Sequence, residues 1–177
     1  MALTTSQIRA WQSDDDLLRV LQGELDSLFP PESRRDNCVF LSRLQSAPDG
    51  LRAMAATFEL DVSMSLDDLA WHFVNHHDLD LYEETKLGLR TLGAMEAAEL
   101  FETAFAIVEP LWHELGTVAQ SDDSGSIHAW LDQKGIQKQI DPLDGRMWKL
   151  LGQWPKQGLM HYWVTYAREH PRQCIRA

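Results

Sequence analysis

The chain has no apolar run near the ~18 to 20 residues that span a bilayer. It has only two cysteines among 177 residues. It also lacks a glycine-rich phosphate loop, a GxSxG turn, an internal repeat and any alternating stretch long enough to make a useful strand. Each absence removes a class. No membrane span is expected. The opening MALTTSQIRAW has no basic segment followed by an apolar block, so no secretory leader is expected either. Cys38 and Cys174 are too few for a disulfide framework and match no paired metal spacing. The cytoplasm is the expected compartment. Nucleotide and serine chemistry lose their usual carriers, and no cofactor is expected.

Positive charge is scarce as well. Sixteen Lys and Arg stand against 27 Asp and Glu, a formal net of −11. That balance disfavours direct binding of nucleic acid through phosphate neutralisation and favours a basic protein partner. Residues 1–123 hold 23 acids and 8 bases, whereas 124–177 hold 4 acids and 8 bases. The sign changes at SDDSGS, residues 121–126, whose small and polar composition reads as a flexible loop. The 51 residues beyond it are few for a separate core. A single helical domain over 1–177 is therefore expected, with apolar residues at 44% sufficient for a packed interior.

Helical periodicity is what the chain does have, and it predicts an all-α bundle of about eight or nine helices. A first helix is capped by Ser13, with Asp14, Asp15 and Asp16 in the turn where the helix dipole favours negative charge, and Pro30 and Pro31 stop it. A second helix over 36–44 buries Val39, Phe40 and Leu44, and Cys38 reads as a small buried hydrophobe. A third begins around Ser46 to Asp49 and reaches Leu60. Ser65, with Asp68 three residues on, reads as a capped start for a helix that buries Leu66, Leu69, Ala70, Phe73 and Val74. After a break near His77 to Asp80, a helix over 81–92 is closed by Gly93.

The next segment, 94–115, is the most regular. At 100° per residue Leu100, Phe101, Ala104, Phe105, Ile107, Val108, Leu111 and Trp112 share one side, with Glu96, Glu99, Glu102 and Glu109 opposite. Pro110 predicts a kink or break around Val108 and Glu109, and Gly116 an end. Later helices are expected over 126–134, closed by Gly135, and from Asp141 with Pro142 at its first position, burying Met147, Trp148, Leu150 and Leu151. Trp154 and Pro155 interrupt, and a last helix carries Leu159, Met160, Trp163, Val164 and Ala167 up to Pro171. Cys174 lies in a tail expected to fray. Of the seven tryptophans, most are expected in the core, with Trp11 and Trp154 exposed or at a subunit contact.

Two constellations could carry chemistry. Asp68, His72 and His76 recur four apart, so a single helix would present two imidazoles and a carboxylate on one side, a set that can hold zinc. A zincin would need glutamate directly after the first histidine, where this chain has Phe73, so a packing or hydrogen-bonding role competes. The second is the acidic face formed by Asp78, Asp80, Glu83, Glu84, Glu96, Glu99 and Glu102, suited to a basic surface.

The segment LYEETKLGLRTLGAMEAAELFETAFAIVEP resembles the centre of a small acidic bacterial domain family that includes a described DNA-mimic protein. That family carries an acidic helix, an "ALRxxGA" turn and a helix rich in alanine and glutamate. Residues 87–90, 92–94 and 96–104 stand in those places. DPLDGRMWKLLG and HYWVTYAREHP resemble its closing pattern, with Tyr166, Ala167, Arg168, His170 and Pro171 in the corresponding positions, so the resemblance covers roughly residues 62–172. The N-terminal helices over 13–60 are expected to pack on this region. Where family members show an asparagine-glycine-glycine-phenylalanine element, this chain has Leu69, Ala70, Trp71, His72 and Phe73. The resemblance implies a dimeric helical protein whose carboxylates imitate DNA phosphates and so occupy a DNA-binding protein.

Three readings follow. The first is a noncatalytic protein that binds a basic partner, as a DNA mimic or as an immunity protein that neutralises a toxin. The second is a metal-binding protein or metal-dependent enzyme using Asp68, His72 and His76. The third is a structural homodimer with an apolar, tryptophan-bearing contact.

Overall fold

The structure, a computed structural model, describes residues 3–121, 123–152 and 158–176. Twelve α-helices occur among them, and no strand. They are α1 (Thr5–Ala10), α2 (Asp14–Leu28), α3 (Pro31–Arg34), α4 (Asn37–Ser46), α5 (Asp49–Leu66), α6 (Leu69–Asn75), α7 (Leu79–Thr91), α8 (Met95–Val108), α9 (Trp112–Ala119), α10 (Ser124–Gln133), α11 (Ile136–Leu151) and α12 (Met160–Glu169). Nine of these run eight residues or more, so the all-α bundle expected from periodicity holds; the other three are short. Among the described residues no helix is long and apolar enough to cross a membrane.

The chain divides into two compact units. The first draws on Met1–Phe58, Asp80–Ala94 and Leu159–Ala177, the second on Glu59–Leu79 and Met95–Gly158. In the first unit α2 packs on α12, and α1 on α12 and on the closing 3-10 turn Pro171–Cys174. Its core joins Leu17, Leu21 and Leu25 of α2 to Phe40, Leu51, Met54 and Trp163. The Trp163 indole N–H donates to the Thr57 hydroxyl at 3.1 Å, and that hydroxyl reaches the Ala53 carbonyl at 2.9 Å, so the polar atoms taken into this core are satisfied. In the second unit α8 packs on α11 and α6, and α10 on α11 and α9. Phe73 of α6 stacks on Phe101 of α8 with ring centroids 5.3 Å apart.

Helix starts follow side-chain caps. Ser13 accepts from the Asp16 amide, as the sequence predicts, and Asp36, which the sequence pattern places inside the next helix, caps it by accepting from the Val39 amide. Gly93, with φ 78, closes α7: the Ala94 amide donates back to the Leu89 carbonyl at 2.9 Å. Pro110 ends α8 at Val108, and the chain passes through a 3-10 turn, Glu109–Leu111, before α9.

Several expectations need correction. Helix α1 lies ahead of the predicted first helix, held by a capping box in which Thr4 and Gln7 bond each other's backbone. Ser65 is not a cap, because α5 continues through it and its hydroxyl donates to the Asp61 carbonyl one turn back; Asp68 is the cap of α6. Leu66, at the end of α5, is consequently 77% exposed instead of buried. Val39 is 42% exposed, Trp148 is 46% exposed, and Cys38 is on the surface while Cys174 is buried at the end of the 3-10 turn. Gly116 sits inside α9 and does not end it. The polar loop at 121–126 is shorter than its composition suggests, since Asp123 caps α10. Pro142 lies inside α11, which starts after Gly135 at φ 67. The one backbone bond that proline removes is outweighed by burial of Ile136, Ile140, Met147 and Leu151 on one side. Trp11 is exposed, as expected, and Trp163 is fully buried. Asp122, Trp154 and Pro155 lie outside the described residues.

Candidate functional site

The acidic face is built chiefly on α8. Ala97, Ala98, Leu100, Phe101, Ala104, Phe105 and Val108 are buried, so the side toward α6 and α11 is wholly apolar. The residues between them are left outside. Glu96 and Glu99 are exposed and Glu102 is half-buried. Glu96 also sits in the first turn, where the helix dipole stabilises a carboxylate. It pairs loosely with Arg146 of α11, 3.5 Å away and equally exposed; such a contact is worth little. The Glu99 carboxylate has no partner among the described residues. Spaced three residues apart, the row advances about 4.5 Å of helix axis per carboxylate.

Three of the remaining four acids fall in the other unit. Asp80, Glu83 and Glu84 belong to the first unit, and Asp78 to the second with the α8 row. Glu83 is tied to Lys86 at 2.5 Å on the same helix. Glu84 is held by Arg52, whose Nε and Nη2 reach its two oxygens at 2.8 and 2.5 Å. That carboxylate is engaged within the protein, and its partner guanidinium is held above its usual range chiefly by the same bond.

The histidine constellation does not assemble. Asp68 caps α6 with an extended backbone, its carbonyl accepting the His72 amide at 3.0 Å while its side chain turns to the helix start and away from the His72 ring. Its two oxygens accept from the Trp71 amide at 2.9 Å and from Gln137 Nε2 at 3.0 Å. His72 points inward and is buried, with Nδ1 3.0 Å from the Ser63 hydroxyl oxygen and its ring edge-on to Phe101 at 5.5 Å. The Ser63 hydroxyl donates to the Glu59 carbonyl, so the pair is satisfied with the His72 proton on Nδ1. Burial pushes His72 well below the usual imidazole range, helped by neighbouring His76, whose own value burial also lowers. His77 stacks on Trp112 at 4.0 Å and bonds its carbonyl at 2.7 Å. Among the described residues no three His, Cys, Asp or Glu side chains converge on a metal position.

Sequence reasoning passed over Asp144. It lies on the buried side of α11 between Ile140 and Met147, and its Oδ1 accepts from the Leu69 amide, the first of α6, at 3.0 Å. Burial raises its carboxyl to about 7 against the lowering effect of that bond, and Asp68 and Asp141 add to the rise. An acid in register with Ile136, Ile140, Met147 and Leu151 was the signal available.

No curated protein and no solved structure matches the chain. The family description of DMP19-like protein matches residues 45–170. That match takes in α5 through α12, and with them the α8 carboxylate row, the Asp68 cap, His72 and Asp144. With well over half of its length matched, the chain belongs to the DMP19-like protein family.

Proposed function

We propose that this protein is a noncatalytic binding protein that engages a basic protein surface through the outer side of α8, with Glu96, Glu99 and Glu102 as the contacting carboxylates. The observation that carries this reading is the segregation on α8: seven buried apolar residues on one side leave the carboxylates on the other, and Glu99 is unpaired among the described residues. Family membership supports a DNA-mimic form of this binding, with a DNA-binding protein as partner. One carboxylate per about 4.5 Å of helix compares with one phosphate per about 3.4 Å along a single DNA strand, so the row approaches the charge spacing of one strand and not of both. Glu83 and Glu84 contribute less, because Lys86 and Arg52 already neutralise them. Cytoplasmic location accords with this function.

The test is capture of partners from lysate by the immobilised protein as salt rises from about 0.05 to 0.3 M, beside a Glu96→Gln/Glu99→Gln/Glu102→Gln variant. Basic proteins retained at low salt, released at high salt and lost by the variant are the expected result. Partners of neutral or acidic charge, or equal capture by the variant, would overturn it.

A further inference from the structure

We propose that Asp144 is a proton-linked latch in the second unit: as a neutral carboxyl it seats α11 against the start of α6, and on ionising it weakens that seat. The geometry is specific. Asp144 is 1% exposed, its Oδ1 accepts the Leu69 amide at 3.0 Å, and its Oδ2 is buried without a hydrogen-bond partner among the described residues. A neutral carboxyl keeps the first contact through its carbonyl oxygen. An ionised one leaves an unsatisfied, charged oxygen in the interior, which is costly.

The surroundings add to that cost. The helices packed most heavily on α11 are α6, α8 and α10, and α5, which carries the buried Asp61, touches it where the Trp148 indole donates to the Met64 carbonyl at 2.9 Å. From α6 comes Asp68, and from α11 itself Asp141; Gln137 bonds both and so draws them to one place. Both repel a second negative charge at Asp144. Further along α6, His72 and His76 are held neutral by burial. On α8 Glu96 is paired with Arg146, while Glu99 is exposed and Glu102 half-buried. On α10 His128 packs edge-on against Trp71 at 4.8 Å, and Asp132 is exposed. The Leu69 amide, at a helix N-terminus, favours the anion, and burial outweighs it. Folding therefore takes up a proton from solvent at this side chain, and the raised value, about 7, places its release near neutral pH.

Carboxyl-carbon NMR of the wild-type protein should show Asp144 titrating with a midpoint near 7, and a midpoint below about 5, inside the ordinary carboxylate spread, would overturn the proposal. Asp144→Asn should leave stability close to wild type near pH 4. The ratio of its folding equilibrium constant to that of wild type should then grow by up to about tenfold per pH unit until neutrality. A ratio independent of pH would overturn it. Taking the ratio removes the opposing titration of His72 and His76, which both proteins share. Asp68→Asn keeps a competent cap while deleting one repelling charge. It should lower the Asp144 midpoint, and an unmoved midpoint would count against the arrangement. Should Asp144→Asn not fold, the wild-type titration still decides.

Discussion

Arg52 of α5 grips Glu84 of α7 through Nε and Nη2 at once, 2.8 and 2.5 Å from the two carboxylate oxygens, with only 14% of the Glu84 side chain exposed. A bidentate pair at this depth holds both side chains in one geometry and is stronger than a surface ion pair. Glu84→Gln should therefore cost about 1–3 kcal/mol in urea unfolding, and a double-mutant cycle with Arg52→Met should return a clear coupling. Glu83→Gln, which breaks only an exposed contact with Lys86, should stay within about 0.5 kcal/mol of wild type. Equal effects from the two would show that Glu84 behaves as an ordinary surface acid.

Glycines within helices separate into two kinds here. At Gly88 an added Cβ would lie 2.9 Å from the Ala53 carbonyl oxygen and 3.1 Å from Thr57 Cγ2, so α5 and α7 approach as closely as they do only because no side chain intervenes. Backbone cannot yield cheaply, and Gly88→Ala should lose about 1–3 kcal/mol despite the better helix propensity of alanine. At Gly145 of α11 nothing lies within 4 Å of the added atom, and Gly145→Ala should gain about 0.5–1 kcal/mol. Thermal unfolding of the two variants should shift in opposite directions.

The cysteines offer a direct check on packing. Cys38 is exposed on α4, whereas Cys174 is fully buried, with its thiol pushed up to about 12 by burial. Maleimide at neutral pH should label the folded protein once, at Cys38, and label Cys174 only after denaturation. Rapid double labelling without denaturant would contradict the burial of Cys174.

What the sequence made legible was what local chemistry decides. Ser13, Gly93, Pro110 and Gly135 each set a boundary where their own side chain or backbone preference predicts one. The α8 row was readable because seven apolar positions at helical spacing leave no other orientation. Failures arose where tertiary contacts overrode local signals. Gly116 looks like a terminator, yet it lies inside α9, where its missing side chain makes room for His77, whose nearest ring atom would lie 2.5 Å from an added Cβ. Pro142 looks like a helix start, yet packing of α11 on α8 carries the helix through it. At the candidate metal site, periodicity puts Asp68 inside the helix, three residues after a Ser65 cap; in the structure Asp68 is itself the cap, and its carboxylate is taken by the Trp71 amide and Gln137.

The histidine end of the second unit should make the protein acid-sensitive in the sense opposite to Asp144. His72 has a folded value lowered from 6.5, first by burial and then by His76. The unfolded chain therefore binds the proton more readily. The contribution of neutral His72 to stability is fully present above about pH 6.5 and is lost as pH falls below it toward the folded value. Asp144, with a raised value, gains stability over part of the same descent, so the two partly cancel in wild type. In an Asp144→Asn background the opposing Asp144 term is gone: stability should decline as pH falls from about 6.5 to 5, by up to about tenfold in the folding constant per unit for each histidine. His72→Gln, which retains an amide donor for the Ser63 oxygen, should flatten that decline and leave the smaller share from His76. Urea midpoints measured across the range decide the matter, since a decline of equal steepness with glutamine at position 72 would place the acid sensitivity on other groups.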